Sequence, residues 1–231
     1  MELTARLRAV AEQVPRGARF ADIGTDHGYL PLWLILNGVV DSAIAADLRE
    51  GPLERARETA ARYGRQARVS LRLCDGLSGI APEEADVIAI AGMGGETIAA
   101  ILDAAPWTGE RGKTLLLQPM TAQPELRQWL FTHGYTIQSE RIAKEGKRFY
   151  SILTVTGGKM PPLTPGELWA GKQSRDALRG EFLDSVSAKA GKALQGHLEA
   201  ARPDEAEIDR LRAVLTDLRV MKEEWKRGGH A

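Results

Sequence analysis

The chain has one cysteine, Cys74, no long apolar stretch and no excess of charge of either sign. A lone cysteine makes no intramolecular disulfide, and no Cys/His cluster offers zinc-ligand spacing, so no metal site is expected. The longest apolar run, Tyr29 to Leu36, is far short of the ~20 residues that span a bilayer. The 31 Lys+Arg residues balance 31 Asp+Glu, which excludes an indiscriminately basic nucleic-acid coat and leaves local patches to consider. The opening MELTARLRAVAEQVPRG reads as a short amphipathic helix without an apolar secretory core. A soluble, cytoplasmic protein is the expectation.

What is present is ordinary globular composition, 43% hydrophobic and 27% charged, over 231 residues. At ~100–200 residues per domain, that length holds one large domain or one with an appendage. The strongest boundary is the Gly/Pro-rich run at 157–166, which continues neither a strand nor a helix and reads as a linker between domains 1–158 and 159–231. Thr164 and Glu167 then have capping-box spacing, with Pro165 at the first helical position. Leu168, Leu178, Phe182, Val186, Leu194 and Leu198 continue as one apolar helical face. A second helix starts at Asp204 as N-cap, with Glu207 three residues on. It carries Ile208, Leu211, Leu215, Leu218, Met221 and Trp225 at 3–4 spacing. Residues 164–227 are expected to form an antiparallel helical hairpin.

Residues 1–158 alternate short apolar runs with helical patterns, which implies a mostly parallel α/β sheet covered by helices. Strands are expected at Arg19–Ile23, Ser42–Ala46, Arg68–Leu73, Val87–Ala91, Lys113–Gln118, Thr136–Ala143 and Arg148–Thr156. Helices are expected at Leu30–Asn37, Pro52–Tyr63, Gly95–Asp103 and Pro124–His133. Only Lys144-Glu145-Gly146-Lys147 separates the last two strands, so they should pair antiparallel at one edge. That feature favours a Rossmann-like, seven-stranded methyltransferase sheet over a dinucleotide-binding one.

The strand ends carry the chemistry. Asp22-Ile23-Gly24-Thr25-Asp26-His27-Gly28-Tyr29 leaves the first strand and opens a helix, where glycines allow backbone to approach a ligand. Glycines alone would equally fit a tight strand–helix turn. The spacing is not G-x-G-x-x-G, and two carboxylates beside a pyrophosphate would repel it. Asp22 and Asp26 suit a cofactor with an ammonium and a sulfonium, which points to S-adenosyl-L-methionine. Asp47 ends the second strand where an acidic residue accepts from ribose hydroxyls. Asp75-Gly76 repeats the pattern after the third strand, placed to accept from an adenine amino group. Ala91-Gly92-Met93-Gly94-Gly95 leaves the fourth, without the Asn/Asp-Pro-Pro-aromatic signature of many amino-group methyltransferases.

DIGTDHGYLP at 22–31, Asp47, Asp75-Gly76, IAGMGG at 90–95, LLLQPM at 115–120 and GKRFYSILTV at 146–155 together resemble the bacterial tRNA (adenine-22-N1)-methyltransferase family. The resemblance covers residues 1–158 closely, and the helical appendage fits the family's second domain in type. It implies S-adenosylmethionine-dependent methylation of N1 of a D-loop adenine in tRNA. Carried onto this sequence, Asp22, Gly24, Asp26 and Gly28 would shape the methionine end of the cofactor. Asp47, with Leu48 beside it, would take the ribose, Asp75-Gly76 the adenine ring, and Ala91-Gly92-Met93 the pocket floor.

Adenine N1 has a free lone pair at neutral pH, so methylation there requires no prior proton removal, and no general base is assigned. Asp26 is the first candidate to favour the charge developing on the base, with the carbonyls of the 92–95 loop second. His27 would help to dock the base and Tyr29 would stack on it. Phosphate contacts are expected from the arginine-rich stretch, with Arg55 and Arg62 on one helix face and Arg68 and Arg72 on one strand face. A methyltransferase acting on a small molecule or protein, and a nucleotide-binding module without catalysis, are the rival readings. The sequence leaves the oligomeric state open.

Overall fold

The computed structural model describes residues 1–172 and 176–228. Seven strands form where the apolar runs lie: β1 (Phe20–Ile23), β2 (Ala43–Asp47), β3 (Val69–Leu73), β4 (Val87–Gly94), β5 (Thr114–Thr121), β6 (Tyr135–Glu145) and β7 (Arg148–Gly157). Helices α1 (Ala5–Ala11), α2 (Tyr29–Leu36), α3 (Glu50–Arg62), α4 (Gly95–Asp103) and α5 (Gln123–Thr132) cover them. The C-terminal part contributes α6 (Pro165–Ala170), α7 (Arg179–Leu198) and α8 (Glu205–Arg227).

The sheet order is β3-β2-β1-β4-β5-β7-β6. Strands β3 to β5 are mutually parallel, and β7 runs antiparallel to both β5 and β6. The short turn after Glu145 therefore does what its length dictates, folding the last two strands into an edge hairpin. Because β7 is reversed, it starts at the edge where β1, β4 and β5 end.

Period-two alternation sorts side chains between the two faces. Ala21, Ile23, Ile88, Ile90, Leu115 and Leu117 join the core under α4 and α5. Phe20, Val87, Ala89 and Leu116 join a second core with α1 and α2. Ile88, Ile90, Leu115 and Leu117 have no exposed surface, so truncating any one to alanine would cost ~2–5 kcal/mol. By the same alternation, Asp22 on β1 and Gln118 on β5 fall on the α1 side.

Three local expectations need correction. Strand β4 runs to Gly94 rather than stopping at Ala91, because its ladder with β5 continues beyond a bulge. Ala91 pairs with Gln118 and Met93 with Pro119, leaving Gly92 as the extra residue, with a φ of 81°. Arg68 lies in a 3-10 turn, Gln66–Arg68, and not on β3, so it does not share a strand face with Arg72.

The expected single helix from Thr164 to Leu198 is broken into α6 and α7. Its capping box forms as read, but Gly171 adopts a φ of 67° and ends α6 after six residues. The expected helical residues 173–175 and the final residues 229–231 lie outside the described residues.

Helices α6, α7 and α8 share a third core with the β6–β7 hairpin, in which Ile142 and Phe149 meet Phe182, Leu183, Val214 and Leu218. A buried ion pair, Arg127 to Glu140 at 2.8 Å, anchors this junction, and Arg127 also donates to the Leu168 carbonyl. Removing one partner of such a pair is costlier than the pair is worth, because it strands a buried charge.

Candidate active site at the carboxyl edge of the sheet

The strand ends open into two cavities that meet at Gly24. The larger, about 460 Å³, is lined by Asp47, Leu48, Asp75, Gly76 and Met93, with Ile101 of α4 as a wall. The smaller, about 330 Å³, is lined by Asp22, Asp26, His27, Tyr29, Ala91 and Gly92. The expected residues thus divide into two groups. Gly28 lines neither cavity; a Cβ there would stand 3.0 Å from that of Ala56, so this glycine lets α2 begin against α3. Ser151 is fully buried in β7 and lines neither cavity.

Gly24 has a φ of 76°, and a Cβ on it would lie 2.0 Å from Cε of Met93. The Met93 side chain therefore rests on the point where the two cavities join. Gly95 is needed for a different close approach, since a Cβ there would lie 2.3 Å from the Ala122 carbonyl oxygen. That contact brings the start of α4 against the β5–α5 connection.

Four groups define the smaller cavity electrostatically. Asp22 is buried, and burial pushes its carboxyl up to about 6 while the nearby Arg6 guanidinium pulls the other way. Arg6 reaches in from α1 and donates to Oε1 of Gln118 at 2.7 Å. The same oxygen accepts the Gly92 N–H at 3.1 Å, and Gln118 Nε2 donates to the Pro119 carbonyl at 3.0 Å. Gln118 is wholly buried and so holds the bulge of β4, the end of β5 and α1 in one arrangement. Tying the Gly92 N–H back to Gln118 turns the carbonyl of the same peptide, that of Ala91, the opposite way.

Asp26 stands on the rim, with its side chain 65% exposed, and accepts from Arg55 of α3. That hydrogen bond holds its carboxyl below the usual carboxylate range. His27 Nε2 lies 3.5 Å from Asp26, and the His27 and Tyr29 rings stack with centroids 5.0 Å apart and planes 7° apart. In the larger cavity Asp47 is almost fully buried and accepts the Arg49 N–H at 2.8 Å.

Sequence reasoning missed Arg6 and Gln118. Arg6 had no local signal, since only tertiary packing brings α1 over the β1–β4 ends. Gln118 had one: a polar residue closing the apolar run Leu115-Leu116-Leu117, on the face that also carries Asp22.

Residues 3–153 match the family described as "Methyltransferase domain". The Bacillus subtilis tRNA (adenine(22)-N(1))-methyltransferase is 39% identical over 158 residues, which is 68% of this chain and 66% of that protein. The crystal structure of the B. subtilis m1A22 tRNA methyltransferase TrmK superposes with a TM-score of 0.83 at 31% identity, covering 96% of this chain and 99% of that one. The chain belongs to the bacterial tRNA (adenine-22-N1)-methyltransferase family.

Streptococcus pneumoniae Sp1610 in complex with S-adenosyl-L-methionine is 32% identical, with a TM-score of 0.79 over 96% of this chain and 100% of that one. The likeness thus extends over the C-terminal helices as well as the sheet. No helix among the described residues is long and apolar enough to cross a membrane.

Proposed function

We propose that the two cavities hold S-adenosylmethionine along the strand ends, and that the rim beside the smaller one receives adenine 22 of a bacterial tRNA. The reaction is S-adenosylmethionine-dependent methylation of N1 of that adenine. The observation that carries this reading is the pair of cavities meeting at Gly24, with a buried carboxylate, Asp22, in one and another, Asp47, in the other.

The residues fit the cofactor. Its methionine end is a zwitterion, and the smaller cavity offers Asp22 for the ammonium and Arg6 for the carboxylate. A buried carboxylate pushed up to about 6 is one that a cationic partner relieves. Asp47 faces the larger cavity for the ribose hydroxyls, and Asp75, Gly76 and Ile101 line the place for the adenine ring. When bound, S-adenosylmethionine supplies a methyl group activated by its sulfonium.

The chain's own residues then orient the acceptor, since N1 needs no deprotonation. The His27–Tyr29 stack, with Tyr29 44% exposed, forms a platform for an extruded base. Asp26, steadied by Arg55, faces the charge that develops as the base becomes cationic. The Ala91 carbonyl, turned away from Gln118, is the acceptor for the exocyclic amine.

The arginine-rich stretch fits phosphate contacts unevenly. Arg55 lies near the site in its pair with Asp26, and Arg62 is seven residues, about 10 Å, further along α3. Arg72 is engaged by Glu84 at 2.7 Å, and Arg68 precedes β3 at the opposite edge of the sheet. Residues 159–231 act as an appended helical domain, and a tRNA substrate places the reaction in the cytoplasm.

The test is methyl transfer from labelled S-adenosylmethionine to unmodified tRNA transcripts carrying adenine or guanine at position 22. Transfer to the adenine form alone is expected. Equal transfer to both, or none to either, would contradict the assignment.

A further inference from the structure

Resting on that tRNA reading, we propose that the groove between the β6–β7 turn and α7 carries the RNA strand leading to the target adenine. The sheet order supplies the first argument. Along the carboxyl edge the larger cavity lies toward β2 and β3, and the smaller one at β1 and β4. The next positions outward are the ends of β5 and the start of β7. They open into a groove of about 620 Å³, the largest of these depressions. RNA entering from this side reaches the β1–β4 rim without crossing the adenosine end of the cofactor site.

The groove's chemistry supplies the second argument. Its hairpin and α7 wall presents Lys147, Arg148 and Lys189, all exposed and none in an ion pair among the described residues. Lys189 lies over the Trp169 ring at 6.0 Å, and Phe149 and Trp169 line the groove with the cations. Glu96 and Glu125, at the starts of α4 and α5, line the same groove from elements other than the hairpin and α7.

This polarity suits a single RNA strand, whose phosphates take the cationic wall while base amines and 2′-hydroxyls donate toward the carboxylates. A uniformly anionic or purely apolar partner would leave charged groups unmatched. Met120, 43% exposed, lines the groove and accepts from Gln118 Nε2 at 3.5 Å, which links the groove to the residue that also holds Arg6 and the Gly92 N–H.

The arrangement also assigns work to the C-terminal helices. Trp169 of α6 and Phe182, Ser185, Val186 and Lys189 of α7 make one side of the groove, so it exists only because these helices dock on the hairpin. They build half of a binding surface that the sheet alone lacks.

The experiment measures tRNA affinity across a salt series for the full chain and for Lys147→Glu/Lys189→Glu, with S-adenosylhomocysteine titration as a check on the fold and the cofactor site. Arg111→Glu, an exposed arginine before β5 at the opposite edge, makes the same type of charge reversal as a control. The double variant should bind tRNA at least ~10-fold more weakly. Its log-affinity against log-salt slope should be shallower by about 1.4, for two lost single-strand contacts. S-Adenosylhomocysteine binding should be unchanged, and Arg111→Glu should resemble the unaltered chain. Unaltered tRNA affinity and slope in a double variant, beside an unaltered chain that methylates tRNA, would overturn the groove and leave the function standing. A loss as large in Arg111→Glu would also overturn it. Failure of the unaltered chain to methylate tRNA would instead remove the reading on which the groove rests.

Discussion

The two edges of one sheet handle charge in opposite ways. At the amino edge, Arg19 and Lys113 find their partners within the fold. Arg19 clamps Asp86 with two guanidinium nitrogens and also donates to the Glu83 carbonyl. Lys113, nearly buried, donates to the carbonyls of Pro82 and Ala85 and lies over Trp107. At the carboxyl edge, Asp22 is buried with its carboxyl driven up to about 6, and the cations of the outer groove make no ion pair among the described residues. Charge that folding leaves uncompensated marks where ligands complete the electrostatics.

Substitutions at the two edges should therefore read out differently. The larger effect is expected from Gln118→Leu, which strips the acceptor from the Gly92 N–H and from Arg6. A buried donor left unmet costs ~1–3 kcal/mol, so cofactor affinity and kcat/KM should fall about tenfold or more. The KM for tRNA should change little, which a two-substrate kinetic series would show. At the other end, Arg19→Ala removes an exposed clamp far from both cavities. It should lower the melting temperature slightly and leave kcat/KM and S-adenosylhomocysteine affinity unchanged. A kinetic defect in Arg19→Ala as large as that in Gln118→Leu would erase the distinction between the edges.

Much of this architecture was legible in the sequence because it is written locally. Alternation in Val87-Ile88-Ala89-Ile90 assigns both faces of β4, and the four-residue link after Ala143 requires the hairpin. The acidic and glycine positions at four strand ends reach one edge because parallel strands end together. What was not legible depends on contacts between distant segments. The β4 ladder persists past Ala91 only because Pro119 and Thr121 continue it from β5. The helix expected from Thr164 onward carries good apolar spacing, yet Gly171 turns the chain into the left-handed region and ends it. Arg6 enters the site across more than a hundred residues of sequence, through Gln118. Spacing set Asp22 and Asp26 side by side around Gly24, whereas folding buries the first and leaves the second on the rim beside Arg55.

We propose that Asp22 is a buried anion kept for the cofactor's ammonium, and its pH dependence has a definite sign. In the free protein the carboxyl, ordinarily at 3.8, sits at about 6, so the unliganded fold loses stability as pH rises through that window. Binding a cation favours the ionised form, so ligand affinity should run the other way and weaken as pH falls below 6.

The measurement is calorimetric titration of S-adenosylhomocysteine at pH 5 and pH 8, with the unaltered chain, Asp22→Asn and His27→Asn. The unaltered chain should bind about tenfold more weakly at pH 5, from the fraction of Asp22 then protonated. Binding by Asp22→Asn should be weak and pH-independent, and His27→Asn should keep the pH dependence. Equal affinity at both pH values in the unaltered chain, or full affinity at pH 8 in Asp22→Asn, would contradict that role for Asp22.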